Sequence, residues 1–370
     1  MQDKSFLMIP GPTPVPESVL LELAKHPIGH RTEEFSKILL GCTEDLKYVG
    51  KTKESDVFII TGSGTSAMES AIASFISPSD KNLSLVIGVF GARFAEIANI
   101  YGASVEKMEV APGNIIDLHI LEKRLKEDKN KEIKVVTVTH SETSTGAAND
   151  LENIAKLVQH HGALLIVDAV TSLCCMNVEI DKWGLDVVVS GSQKGFMIPP
   201  GLGFIYVSKK AWEFHKKSTS PKFYLDVGKY KKALDSTKST PFTPNISFVC
   251  ALKKALEMIK KEGIENVVSR HNRLKERLRS GIRSLGLKLL VENDKEASSA
   301  ITAIYPPSGV SVADIRKTYG QDWDLKVADG QLDLKGKIFR IGHLGFVSDR
   351  DIEMTLTVTE KVMQKLKTNS

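Results

Sequence analysis

The stretch Asp186-Val-Val-Val-Ser-Gly-Ser-Gln-Lys194-Gly195 joins an apolar, valine-rich run to a lysine on a turn of small residues. The valine run predicts a buried strand, so Lys194 would stand at its carboxyl end, where open α/β sheets bind their ligands. An amine that loses part of its hydration there can shed its proton and form a Schiff base. Taken alone, a lysine after a strand is more often an ordinary surface group.

A second predicted strand, Leu164-Leu-Ile-Val-Asp168, ends in a carboxylate upstream of the first. A strand-end aspartate followed by a strand-end lysine is the arrangement needed to bind pyridoxal phosphate. A carboxylate beside the pyridine nitrogen keeps that nitrogen protonated, and the ring can then withdraw electrons from the substrate. The sequence therefore predicts Asp168 as the partner of the ring nitrogen. It predicts Lys194 as the Schiff-base group and the carrier of the substrate's α-proton.

A third segment, Phe58-Ile-Ile-Thr-Gly-Ser-Gly-Thr65, has the pattern of a strand, a glycine-rich turn and the start of a helix. Backbone N–H groups and hydroxyls at a helix start bind anions, so Ser63, Gly64 and Thr65 are candidate ligands of the cofactor's phosphate. Dinucleotide-binding folds and plain tight turns use glycine in a similar way. The turn indicates a phosphate site only in combination with the strand-end aspartate and lysine.

Apolar strand candidates alternate with helical patterns along much of the chain, which is typical of a doubly wound α/β fold. Long helices are predicted over 251–262 and 264–285, and strands near 299–305 and 338–341 suit a smaller α+β domain. We expect an N-terminal arm at 1–15, a large domain at 16–262 and a small C-terminal domain at 263–370. The strands predicted for one mainly parallel sheet are 57–61, 84–89, 134–139, 164–170, 185–190 and 203–207.

Composition narrows the class of protein. Fifty basic and 45 acidic residues are interspersed, without the basic cluster typical of nucleic-acid binding. No apolar run approaches the roughly 18 residues of a membrane span, and the start lacks a signal-peptide pattern. The four cysteines have no metal-ligand spacing and are interpreted as reduced core thiols. We expect a cytoplasmic enzyme without a metal, a nucleic-acid partner or a membrane partner.

Several motifs occur in a characteristic order along the chain. They are Met8-Ile-Pro-Gly-Pro-Thr-Pro-Val-Pro, Thr61-Gly-Ser-Gly-Thr, His140-Ser-Glu-Thr-Ser-Thr-Gly, Val167-Asp-Ala-Val-Thr-Ser, Ser190-Gly-Ser-Gln-Lys and Arg340-Ile-Gly-His-Leu-Gly. With these motifs the chain resembles the class V aminotransferases of pyridoxal-phosphate fold type I, from about residue 6 to about residue 365. The most similar branch is that of the alanine–glyoxylate and serine–pyruvate (serine–glyoxylate) aminotransferases. The resemblance implies a large domain with a mainly parallel, seven-stranded type of sheet.

The resemblance also assigns roles to single residues. Phe90 would stack on the pyridine face, where many members have tryptophan, and Gln193 would contact the phosphate. Thr143 would lie near the ring oxygen and the substrate. Arg340 matches the family's carboxylate-binding arginine, and a planar guanidinium can give a carboxylate two parallel hydrogen bonds.

A homodimer with shared sites is a further implication. Thr240-Pro-Phe-Thr243 resembles the segment that crosses the family's dimer interface, where Thr240 and Thr243 would bind the neighbour's phosphate. The proline-rich start, Ile9-Pro-Gly-Pro-Thr-Pro14, cannot form a regular helix or a central strand. It is interpreted as an extended arm over the partner or the mouth of the site.

The predicted reaction is a two-stage exchange of an amino group between small substrates. Arg340 accounts for one carboxylate and no second cation is recognised, which favours alanine or serine as donor and glyoxylate or pyruvate as acceptor. Arg31, in Gly29-His-Arg, leaves open a phosphoserine or phosphonate aminotransferase, in which a similar pair binds phosphate. A cysteine desulfurase with Cys250 as nucleophile is another alternative, although desulfurases usually carry histidine where Gln193 precedes the lysine.

Overall fold

The computed structural model describes residues 5–368, whose strands form sheets of seven, three and two strands. In chain order the strands are β1 (Phe6–Leu7), β2 (Asp56–Thr61), β3 (Lys81–Val86), β4 (Ser104–Glu109), β5 (Ile133–Thr139), β6 (Leu164–Asp168), β7 (Val187–Gly191), β8 (Leu202–Val207), β9 (Ile301–Ile304), β10 (Leu325–Lys326), β11 (Ala328–Asp329) and β12 (Phe339–Gly342).

Helices connect these strands, and a short 3₁₀ helix at Leu332–Leu334 precedes β12. In chain order the α-helices are α1 (Glu17–Leu23), α2 (Glu33–Val49), α3 (Gly64–Phe75), α4 (Val89–Ile100), α5 (Leu118–Glu127), α6 (Leu151–His161), α7 (Ile180–Trp183), α8 (Lys209–Lys217), α9 (Val227–Thr237), α10 (Ile246–Glu262), α11 (Ile264–Ser284), α12 (Val312–Trp323) and α13 (Asp349–Thr368).

The central sheet has the strand order β2-β8-β7-β6-β5-β3-β4. Every neighbouring pair is parallel except those of β8, which runs antiparallel to both β2 and β7. The prediction of an α/β fold with a mainly parallel seven-stranded sheet is confirmed. Parallel strands point their carboxyl ends to one edge, so the loops after β3, β5, β6 and β7 meet there.

Two predictions about individual strands were incomplete or wrong. The edge strand β4 was missed because its sequence, Ser-Val-Glu-Lys-Met-Glu, is mostly polar and half in contact with solvent. The strand predicted at 84–89 begins and ends earlier, at Lys81 and Val86, and Val89 opens helix α4 instead. The apolar run continued past the strand because the first turn of α4 is itself apolar.

Alternating side chains of the central strands pack on opposite faces of the sheet. Val188 belongs to one hydrophobic cluster, whereas Val187 and Val189 belong to another. Each such fully buried side chain stabilises the fold by roughly 1.5–3 kcal/mol. Strands buried on both faces place the groups that follow them reliably at the edge of the sheet.

The C-terminal third builds a separate cluster around the three-stranded sheet β11-β12-β9. Met8 joins this cluster, because β1 pairs in parallel with β10, with Phe6 opposite Leu325. The N-terminal segment is therefore attached to the C-terminal part of the chain. The division into an arm, a large domain and a small domain stays a prediction.

No helix among residues 5–368 combines the length and the apolar character needed to cross a bilayer.

Candidate active site

A cavity of about 750 Å³ opens at the carboxyl edge of the central sheet. Its wall combines the loops after β3, β5, β6 and β7 with the N-terminal segment and the C-terminal sheet. The structure thus brings together residues that the sequence places far apart. Those predicted site residues that line the cavity are Gly64, Thr65, Phe90, Thr143, Asp168, Gln193, Lys194 and Arg340.

Lys194 lies just beyond β7 and is 7% exposed. Its Nζ donates a hydrogen bond to the carbonyl oxygen of Pro10 in the N-terminal segment. Burial lowers the pKa of Lys194 to about 8, and the nearby positive charge of Arg340 acts in the same direction. The ammonium form still predominates at neutral pH, but the neutral amine, which is the form that attacks a carbonyl carbon, is far more populated than in an ordinary lysine.

Gly11 is the residue that lets the N-terminal segment pack closely against the Lys194 side chain. A Cβ added to Gly11 would lie 3.0 Å from the Cδ, Cε and Nζ atoms of Lys194, and Gly11 has a φ of +136°. Both the close approach and the backbone conformation require glycine at this position. Thr13 adds two bonds, from its Oγ1 to the Lys194 carbonyl at 3.1 Å and from its N–H to the Gln193 carbonyl at 3.2 Å.

Asp168 ends β6 and is 3% exposed. One carboxylate oxygen accepts the Val170 N–H at 2.8 Å, and the other accepts the Thr139 hydroxyl at 3.5 Å. Burial raises the pKa of Asp168 to about 7, against the opposing effect of the bond from Val170. A cation placed against this carboxylate would stabilise its ionised form, so the site suits the protonated ring nitrogen of pyridoxal phosphate.

The start of helix α3 lies against the end of β7. A Cβ on Gly191 would be 3.0 Å from the Cα of Gly64, so these two backbones approach as closely as glycine permits. The side-chain oxygen of Gln193 is buried without a hydrogen-bond partner among the described residues. An amide can turn either end toward a ligand, and with the N–H groups at the start of α3 it fits an anionic group.

Arg93 and Glu142 fix the aromatic side of the cavity, although the sequence analysis assigned neither a role. The buried carboxylate of Glu142 accepts the backbone N–H of Phe90 at 3.1 Å and of Gly91 at 3.3 Å. The Arg93 guanidinium lies 4.5 Å from the centre of the Phe90 ring and donates to the Thr65 hydroxyl at 3.1 Å. A positive charge is thereby held between the ring and the start of α3.

Arg340, on β12, faces the loop that carries Thr143. Its Nη1 donates to the carbonyl oxygen of Thr143 at 2.8 Å and to the Gln331 side chain at 3.2 Å, and its Nε donates to the Asp329 carbonyl at 2.8 Å. Burial lowers the pKa of Arg340 to about 10, which still leaves it protonated at neutral pH. Because these acceptors are uncharged, the guanidinium can still pair with an incoming carboxylate. Thr143 also shares a hydroxyl–hydroxyl bond of 2.7 Å with Thr171.

The remaining predicted residues are not among those lining this cavity. Ser63 is exposed at the N-cap of α3 and makes no capping bond with its side chain. The Thr240 hydroxyl donates to the Phe242 carbonyl at 2.7 Å, and Thr243 is exposed. Whether these three residues bind cofactor stays a prediction.

The residues of the two alternative functions also lie outside the cavity lining. The Arg31 guanidinium donates to the Thr240 carbonyl at 2.7 Å. Cys250 lies on α10, where burial raises the pKa of its thiol, so the reactive thiolate is disfavoured.

Sequence reasoning missed several residues of the cavity wall. Arg93 follows the predicted site residue Phe90 by three positions, and Glu142, which supports the wall without lining it, lies in the motif that starts at His140, so their charge was the available signal. Pro10, Arg316 and Gln331 have no local signal, because only the fold brings them to the lysine and to Arg340.

Comparison with known proteins places these features in a family. The soluble hydrogenase small subunit of Synechococcus sp. is 51% identical over 99% of this chain and 94% of its own length. The serine–glyoxylate aminotransferase of Arabidopsis thaliana is 33% identical over 98% of this chain and 90% of its own. The crystal structure of an alanine–glyoxylate aminotransferase from Nostoc sp. superposes with a TM-score of 0.93 at 30% identity, covering 98% of this chain and 96% of that one. Since the model of the class V aminotransferase family also matches residues 6–331, the chain belongs to the class V aminotransferases, as its motifs predicted.

Proposed function

We propose that this protein is a pyridoxal-phosphate-dependent transaminase that moves the amino group of alanine or serine to glyoxylate or pyruvate. The observation that carries the proposal is the convergence of Asp168, Lys194 and Arg340 on one cavity. These groups supply the partner of the ring nitrogen, the amine and the carboxylate receptor that amino-group transfer requires.

Each part of the wall has a separate task in this reaction. Bound pyridoxal phosphate supplies a ring that withdraws electrons from the substrate's α-carbon. Asp168 keeps the ring nitrogen charged, and Phe90 covers the ring face. Lys194 carries the α-proton at its Nζ, because burial lowers the pKa of this amine to about 8 and so brings it near the pH at which the reaction runs.

Arg340 serves both halves of the exchange. Amino acids and 2-oxo acids share an α-carboxylate, so one guanidinium can hold the donor first and the acceptor afterwards. This reuse of one receptor suits a ping-pong mechanism, in which the first product leaves before the second substrate binds. Two of the similar proteins are named as a serine–glyoxylate and an alanine–glyoxylate aminotransferase. These names support the assignment of small substrates to this protein.

A panel of donors with the holoenzyme tests the proposal. Alanine and serine should each yield their 2-oxo acid when glyoxylate or pyruvate is the acceptor, and cysteine should release no sulfide. Faster transfer from phosphoserine or aminoethylphosphonate would instead give Arg31 a place in the site. Sulfide release that depends on Cys250 would favour the desulfurase.

We also propose a homodimer with shared sites. Thr243 is exposed and lies outside the cavity of its own chain, which leaves its hydroxyl open to a neighbour, whereas Thr240 is buried and would have to exchange its bond to the Phe242 carbonyl. The adjacent Phe223 is 69% exposed and stacks 5.5 Å from the Phe242 ring, an apolar surface suited to a protein partner.

Complementation tests the sharing directly. Lys194→Ala and the double variant Thr240→Ala, Thr243→Ala should each be impaired. Mixing them under subunit exchange should restore activity, because one site of each mixed dimer keeps both intact halves. A fully active monomer in sedimentation, or no recovery on mixing, would refute the shared site.

We place the enzyme in the cytoplasm. All four cysteines are free thiols, and the adjacent Cys174 and Cys175 are buried without forming a bridge. Unbridged thiols suit a reducing compartment. Cell fractionation with activity measurements tests this assignment, and recovery from an oxidising compartment would contradict it.

A further inference from the structure

Helix α4, which carries Phe90 in its first turn, begins without a cap of its own. Its N-cap residue is Gly88, which has no side chain to bind the free N–H groups of that turn. The loop after β5 supplies the acceptors instead. The Ser144 hydroxyl accepts one of these N–H groups at 3.1 Å, and the Glu142 carboxylate accepts two, at 3.1 and 3.3 Å. The start of the helix is therefore fixed by a loop that follows a different strand.

The Glu142 carboxylate is used on both of its oxygens. Its Oε2 accepts the N–H groups of Phe90 and Gly91, and its Oε1 accepts the N–H of Ser144 at 3.0 Å and the Ser144 hydroxyl at 2.6 Å. An amide accepts at one end only, so glutamine would turn its NH₂ group toward one of these two sets of donors. Glu142 is fully buried, and water cannot replace a lost acceptor there. The position therefore requires a carboxylate.

The loop and the helix are also packed closely against each other. A Cβ added to Gly88 would lie 2.5 Å from the Ser144 hydroxyl oxygen and 2.6 Å from Cγ of Glu142. Glu142 is held in turn by its own loop, where its N–H donates to the Ala147 carbonyl at 2.8 Å and its carbonyl accepts the Gly146 N–H at 2.8 Å. The carboxylate is thus a fixed point, and the start of α4 follows its position.

We propose that Glu142 is a positioning residue, which sets the Phe90 ring against the cofactor by holding the first turn of α4. The inference rests on the proposed function, in which Phe90 covers the face of the cofactor ring. Phe90 lines the cavity and Glu142 does not, so the carboxylate acts through the aromatic ring and not by touching the cofactor. Arg93 lies on the same helix, with its guanidinium 4.5 Å from the centre of the Phe90 ring. A shift of the helix start would therefore move both groups together.

The first test measures how tightly the apoprotein binds pyridoxal phosphate, by equilibrium dialysis below the melting temperature of each variant. Glu142→Gln should weaken this binding roughly 10- to 100-fold, because buried N–H groups lose their acceptor and the start of α4 shifts. Asp128→Asn is the matched control. Asp128 is also a buried carboxylate that accepts backbone N–H groups, from Glu132 at 3.1 Å and Ile133 at 2.9 Å, and it does not line the cavity. That variant should have a lower melting temperature and an unchanged affinity for the cofactor.

A double-variant cycle tests whether Glu142 acts through the ring. Phe90→Leu should itself weaken cofactor binding roughly 3- to 10-fold, because the aromatic face is lost. In that background, Glu142→Gln should weaken binding by less than about threefold more, since no ring is left to misplace. A further loss as large as in the wild-type background would overturn the inference. It would assign Glu142 to a direct electrostatic role, since its charge raises the pKa of Asp168 and of Lys194.

Ser144→Ala removes one hydroxyl from the same network and keeps the carboxylate, so it tests the inference even where Glu142→Gln does not fold. It should weaken cofactor binding roughly 3- to 10-fold, and this loss should again disappear in the Phe90→Leu background. Wild-type affinity in both network variants, or an equal loss in Asp128→Asn, would overturn the positioning role and leave the transaminase standing. A wild-type protein that does not bind pyridoxal phosphate would overturn the proposed function and this inference with it.

Discussion

The two walls of the cavity are built in different ways. The strand-end wall, formed by Gly64, Phe90, Asp168 and Lys194, follows buried strands of one sheet, and the sheet itself sets its spacing. The C-terminal wall, formed by Arg316, Asp329, Gln331 and Arg340, depends on a small sheet and on bonds to the loop after β5.

The two walls are therefore expected to have different roles. The strand-end wall would support the reaction, and the C-terminal wall would bind the substrate. In the proposed function the strand-end wall would hold the cofactor, so changes there should lower kcat with every donor. The C-terminal wall would hold the substrate by its α-carboxylate, so changes there should act mainly through KM. The predictions below test that separation, beginning with the largest effect.

Lys194→Ala should lower turnover by about 10⁴-fold or more with every donor, because the amine that carries the α-proton is lost. Steady-state assays with alanine and serine measure this loss. Lys210→Ala is the control, since Lys210 pairs with Asp186 at 2.9 Å and does not line the cavity. Turnover close to wild type in Lys194→Ala would remove the lysine from the reaction.

Asp168→Asn should lower kcat roughly 10³-fold for all donors and weaken cofactor retention, because a neutral amide no longer favours a charged ring nitrogen. Dialysis followed by phosphate analysis measures retention. Asp186→Asn is a matched control, because Asp186 is also buried but bonds Leu165 and Lys210 away from the cavity. That variant should lose stability and keep kcat; a donor-dependent effect of Asp168→Asn would break the comparison.

Arg340→Gln should lower kcat/KM roughly 100-fold, mainly through KM, while cofactor retention stays unchanged. The loss should appear in KM with every donor, because all donors share the α-carboxylate, whereas the loss in Asp168→Asn should appear in kcat. Arg279→Gln provides the control, because Arg279 is a buried arginine that pairs with Asp294 and lies outside the cavity lining. It should reduce the melting temperature only. Loss of cofactor from Arg340→Gln would assign the arginine to the other wall.

The smallest effect is a plateau in the pH dependence of cofactor uptake. Burial disfavours the charged ammonium, so Lys194, with a pKa of about 8, becomes neutral at lower pH than an ordinary lysine. Uptake by the apoprotein, followed by visible absorbance, should rise steeply up to pH 8 and only about twofold from pH 8 to 10. A lysine of ordinary pKa, near 10.4, would give a continued steep rise over that range.

The strand-end wall was predictable because each of its residues directly follows an apolar run. Asp168 and Lys194 needed only the rule that parallel strands end at one edge. The C-terminal wall depends on pairings that sequence does not reveal. Arg316 meets Asp329 only because α12 packs beside a sheet whose register sets Asp329 opposite Phe339.

Other misses have similar physical causes. The edge strand β4 lacks the apolar pattern of a buried strand, since solvent covers part of it. The bond between Lys194 and Pro10 spans 184 positions of the chain, and no local pattern encodes such a contact. The roles of Ser63, Thr240 and Thr243 stay predictions because a single chain does not test them.

The attachment of the N-terminal segment has a consequence for the order of folding. Its strand pairs with Leu325 and Lys326, so the segment cannot dock until that much later part of the chain has been synthesised. Contacts of such long sequence separation form slowly. A chain that lacks Leu325 and Lys326 therefore lacks the partner of β1, and the segment that carries Pro10 and Gly11 loses this anchor beside the lysine.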